Sequence, residues 1–86
     1  MAQGKELEMA LHLLILNFKD LAERNPGVQI GAAAVTFNQL LAQAKKLQPG
    51  SAVIQGVSPL KPEDSALALI TSASALYGAW IAAGGR

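Results

Sequence analysis

Eighty-six residues, 51% of them hydrophobic and only 15% charged, define one domain with little polar surface to cover it. The absence of cysteine excludes a disulfide framework and thiolate metal sites, and suits a reducing cytoplasm. Seven Lys and Arg against six Asp and Glu leave a net charge of +1, which gives no basis for steering toward a polyanion.

The first predicted helix runs from about Gln3 to Asn25. Leu7, Leu11, Leu14, Phe18, Leu21 and Ala22 recur at three- and four-residue steps, the spacing of one helical face. Asp20 and Arg24 stand four apart in the favourable order. Asn25-Pro26-Gly27 ends the helix, since proline disfavours helical backbone in the residue before it and glycine admits a left-handed turn. The apolar run Met9 to Leu16 is not a secretory core. Glu6 and Glu8 precede it where positive charge is required, and Lys19, Asp20, Glu23 and Arg24 follow it.

A second helix is expected to end near Gln48 and to start at either Ala32 or Thr36. Thr36 with Gln39 fits a capping box, whereas Gly31-Ala32-Ala33-Ala34 would open the helix a turn earlier. Ala33, Phe37, Leu40, Leu41, Ala44 and Leu47 form its apolar face, with Asn38, Gln39, Gln43, Lys45 and Lys46 largely opposite. Pro49-Gly50 stops it. Residues 51–57 read as one short capped helix, begun by Ser51 and ended by Gly56, within a connector reaching Lys61.

The last helix is predicted from Pro62 to Ala83, with Pro62 at the first helical position and Glu63 and Asp64 meeting the positive end of the dipole. Residues 65–85 contain no charge. Leu69, Leu76 and Trp80, with Ile70, Tyr77 and Ile81, make a bulky side. Ala68, Thr71, Ser72, Ala75, Gly78, Ala79 and Ala82 make a small one, which allows close approach of a second helix. These elements predict an all-α fold: a small bundle of three main helices and a short fourth, antiparallel in succession because the connections are short.

Chemistry is sparse. Glu8 and His12 lie one turn apart, but a stable metal site needs more ligands than this chain offers there. Serine and threonine are plentiful without a base and an orienting group to select one of them. Gly27 and Gly31 match no phosphate-binding loop. No catalytic, cofactor-binding or metal residue is therefore assigned. Residues 37–57 loosely resemble the outline of a helix-turn-helix, yet the reading segment would carry only Ser51 and Gln55 and no basic residue, so nucleic acid is not expected as a partner. The last helix has nearly the length of a membrane span, with Tyr77 and Trp80 as interface aromatics, but it is mostly Ala, Ser, Thr and Gly.

What remains is apolar surface. Met9, Leu13 and Leu16 recur at helical spacing away from the Leu7–Leu11–Leu14–Phe18 face, and an uncovered stripe of this kind marks a partner site. The expectation is a non-enzymatic helical interaction module, cytoplasmic and homodimeric through Met9, Leu13 and Leu16. Ala75, Gly78, Ala79 and Ala82 supply a second contact. A membrane-associated protein working through the last helix is the alternative, and a DNA-binding protein the third reading.

Overall fold

The computed structural model describes residues 2–84, with side chains from Gly4 onward. Four helices follow one another: α1 (Ala2–Arg24), α2 (Ala33–Leu47), α3 (Ala52–Gln55) and α4 (Ala66–Ala82). They enclose one core to which all four contribute. Leu7, Leu11 and Leu14 of α1 meet Phe37 and Leu41 of α2, Ile54 of α3, and Leu69, Leu76 and Trp80 of α4. The fold is the small all-helical bundle that the periodicities predict.

The relative directions are fixed by contacts at the helix ends. Glu6 of α1 shares a surface recess with Gln43, Lys46 and Leu47 of α2, so these two helices run antiparallel. His12 meets Tyr77, while Ala22 and Glu23 line a groove with Leu67 and Ile70, so α4 also runs antiparallel to α1. Consequently α4 is parallel to α2, not antiparallel in succession. The physical reason lies in residues 56–65, a connector that forms no helix. With a reach of at most about 3.3 Å per residue, they are long enough to cover the roughly 22 Å length of α2 and return the chain to its starting end.

That return is anchored by pairing between two loops. The Ile30 and Gly31 amides donate to the carbonyls of Asp64 and Pro62 (3.0 and 2.9 Å), and the Ala66 and Leu67 amides donate to Val28 and Pro26 (2.8 and 3.1 Å). This pairing moves the start of the last helix. Residues 61–64 form a turn, in which Asp64 Oδ2 accepts the Lys61 amide at 2.7 Å, and the helix begins only after Ser65. Ser65 Oγ accepts the Ala68 amide at 3.1 Å. Pro62 is thus a turn residue and not the first residue of α4.

The second helix takes the earlier of its two predicted starts. Its N-cap is Ala32, without a side-chain cap, and Thr36 lies inside the helix. The first free amides are satisfied by turn bonds instead: Ala33 to Ile30 O, Ala34 to Gly31 O and Val35 to Ala32 O, each at 3.1 Å. Gly31 makes this possible at φ +56°, where an L side chain is strained. Gly31→Ala meets no atom within 4 Å, so its cost is backbone strain alone, about 1–2 kcal/mol. Thermal unfolding followed by circular dichroism should show the loss, with Gly31→Asn falling between alanine and glycine because asparagine tolerates this region. Equal melting points for all three would remove the strain argument.

The short helix forms as expected, with Ser51 Oγ accepting the Ile54 amide at 3.3 Å and Gly56 closing the turn. At the other boundaries, α1 ends at Arg24 and α4 at Ala82, where Gly84 adopts φ +105°.

Candidate association surface

Amphipathic α1 buries one face and leaves the other bare. Its inner side is formed by Leu7, Leu11, Leu14 and Ala22, with Phe18 and Leu21 half-buried beside them. On the outer side Met9 retains 64% of its surface, and Leu13 and Leu16 each retain 52%. At steps of four and three residues, these three align as a ridge along the helix. None of the described residues covers them.

The faces of α4 differ from the sorting by size. Its buried line is Ala66, Leu69, Ala73, Leu76 and Trp80. Ile70 and Tyr77 are half-buried, whereas Ile81, expected among the buried bulky residues, is exposed. The small side divides. Ala68, Ser72 and Ala79 are half-buried, while Thr71, Ala75, Gly78 and Ala82 face solvent. Close packing inside the molecule is provided by other alanines, namely Ala22, Ala34, Ala44, Ala66 and Ala73. Of the candidate small contact residues, Ala79 is therefore partly taken up by the chain's own core, and Ala75, Gly78 and Ala82 remain free of it.

Between the two helices runs a groove. At one end Ile15 and Ala22 of α1 and Leu67 and Ile70 of α4 surround a recess of about 620 Å³, flanked by Lys19, Glu23 and Ser74. At the other end Lys5, Glu8, Met9, His12 and Tyr77 line a smaller one of about 180 Å³. The His12 and Tyr77 rings lie 5.9 Å apart and tilted by 38°. Glu8 thus has a lysine and a tyrosine for neighbours in this cleft, and no group of three His, Cys, Asp or Glu side chains able to hold a metal occurs among the described residues. Asp20 and Arg24 make the predicted ion pair at 2.8 Å on the outer surface, where exposure limits it to about 0.5 kcal/mol.

The helix-turn-helix outline dissolves at α3, which is a single turn. Both polar side chains of the supposed reading segment serve the local fold: Ser51 caps α3, and Gln55 Nε2 donates to the carbonyls of Lys45 and Gln48 at 3.0 and 3.4 Å. Gln55 thereby completes the carbonyl end of α2, where the sequence offered only lysines. No helix among the described residues is long and apolar enough to cross a membrane. α4 spans 17 residues, against about 20 needed.

No protein-family model matches the chain, and neither a curated protein nor a solved structure matches it.

Proposed function

We propose that the protein is a non-enzymatic helical interaction module that associates with itself as a homodimer. The observation that carries this reading is the exposed Met9–Leu13–Leu16 ridge. Three large apolar side chains on one line of one helix, in a chain so poor in charge, lose contact with water only if a partner covers them. A second copy is the commonest such partner for a small protein, since the same patch then serves both sides of the contact. Ala75, Gly78 and Ala82 are exposed on α4 and would let a partner helix approach closely as a second contact. The cysteine-free composition fits work in the cytoplasm.

Sedimentation of the whole chain in detergent-free buffer tests this reading. Twice the chain mass is expected for the wild type. Leu13→Glu should sediment as a folded monomer, because Leu13 is half-exposed in the single chain and its replacement there costs less than about 0.5 kcal/mol. A dimer that Leu13→Glu leaves unchanged would take the ridge out of the contact.

A further inference from the structure

The ridge alone is too small to hold two chains together. A standard stable interface buries roughly 800 Å² per partner, and three side chains do not reach that. The long side of the molecule measures 35 by 20 Å, so a contact of ordinary size must extend from α1 across α4. On that side the structure offers a ridge and a recess together. Met9, Leu13 and Leu16 protrude from the first and middle turns of α1, and the 620 Å³ recess begins beside Leu16, at Ile15, and runs along the rest of α1 against the start of α4. The two are displaced from one another along the same helix.

Resting on the homodimer reading, we propose that each copy seats its Met9–Leu13–Leu16 ridge in the α1/α4 groove of the other, with the two α1 helices crossing antiparallel. A ridge of residues at i, i+4 and i+7 laid in an apolar trough is a recurrent way for one helix to bind another surface. The trough has the right lining. Ile15 and Ile70 are half-buried within it, Ala22 is buried, and Leu67 stands at its edge with 54% of its surface exposed. Lys19 and Glu23 flank it with opposite charges, and the α4 side carries none, so nothing there repels a second uncharged ridge. Because the centres of ridge and recess are offset along α1, a two-fold axis lying in the interface and perpendicular to the α1 helices satisfies both contacts at once and closes the pair without leaving either to seed a filament.

Two variants break different halves of this contact. Ser74 is exposed at the recess, so Ser74→Trp plugs the groove and leaves the ridge intact, whereas Leu13→Glu breaks the ridge and leaves the groove intact. Each alone should weaken dimerisation by at least about a hundredfold in sedimentation equilibrium, with helical circular dichroism unchanged. Mixed one to one, they should form a heterodimer at concentrations where neither self-associates, since one ridge-to-groove contact is then whole. If Ser74→Trp loses helicity, Ser74→Arg replaces it. A wild-type dimer that survives both Ser74 substitutions, or a mixture without rescue, overturns the ridge-in-groove arrangement and leaves self-association standing. A wild type that stays monomeric at millimolar concentration overturns both.

Discussion

Replacing Trp80 by alanine is expected to cost about 3–5 kcal/mol, enough to leave much of the chain unfolded. Domains of this size have a total stability of roughly 4–13 kcal/mol, at 0.05–0.15 kcal/mol per residue. Trp80 is the largest fully buried side chain and the only tryptophan, in a core to which every helix contributes. Ala34, Ala44, Ala66 and Ala73 bring the helix backbones close elsewhere in that core, so few side chains are long enough to collapse into the space an indole vacates. Trp80→Phe should behave differently. The indole Nε1 is buried without a hydrogen-bond partner among the described residues, and such a donor costs about 1–3 kcal/mol. Phenylalanine leaves a smaller void and removes that donor. Its net cost should therefore lie within about 1–2 kcal/mol, well below alanine. Urea unfolding followed by circular dichroism, since both variants lose the fluorophore, measures the two differences. A phenylalanine variant as damaged as the alanine one would mean that the indole nitrogen contributes to stability.

Features carried by a local run of residues are legible in the sequence. The Leu7, Leu11 and Leu14 periodicity placed the inner face of α1, and Pro26-Gly27 placed its end. Ser51 and Gly56 bounded a helix of four residues. Features that depend on residues distant in the chain are not legible in this way. The start of α4 moved from Pro62 to Ala66 because Pro62 and Asp64 are held by amides more than thirty residues earlier, at Gly31 and Ile30. Ser65 ahead of an apolar run was nevertheless a readable cap, and Pro62 with its following acids masked it. On α4 the expected bulky side holds for Leu69, Leu76 and Trp80 and fails for Ile81, for a related reason. Bulk alone does not mark the buried side, since Ala66 and Ala73 are fully buried while Leu67 and Ile81 are exposed. Only the position of α1 decides which side of α4 is inward. The ridge on α1 was readable because its spacing is distinct from the core spacing on the same helix. The groove beside it needs two helices 50 residues apart in sequence, and no pattern within either predicts it.

Asn38 illustrates the same divide and supports the second large effect. On the sequence it belongs to the polar face of α2. In the structure its side-chain amide clamps the returning connector: Nδ2 donates to the Leu60 carbonyl and Oδ1 accepts the Leu60 amide, both at 2.8 Å. A neighbouring β-strand would offer the same pair of bonds, so Asn38 satisfies both backbone groups of a residue that lies outside any helix. Leu60 in turn packs against the core, so the clamp joins the connector to the bundle midway along its length. Asn38→Ala leaves a partly buried N–H and C=O without partners, and at about 1–1.5 kcal/mol for each lost bond should cost roughly 2–3 kcal/mol. Asn38→Asp separates the two bonds. A carboxylate still accepts the Leu60 amide but faces the Leu60 carbonyl with no donor, so it should recover only part of the loss. Hydrogen exchange at the Leu60 amide reads the clamp directly. Strong protection in the wild type should collapse in Asn38→Ala, while amides in the middle of α1 slow or quicken only with global stability. If Leu60 keeps its protection after Asn38 is removed, the proline-flanked connector holds its shape without the clamp, and the stability loss should then be close to zero.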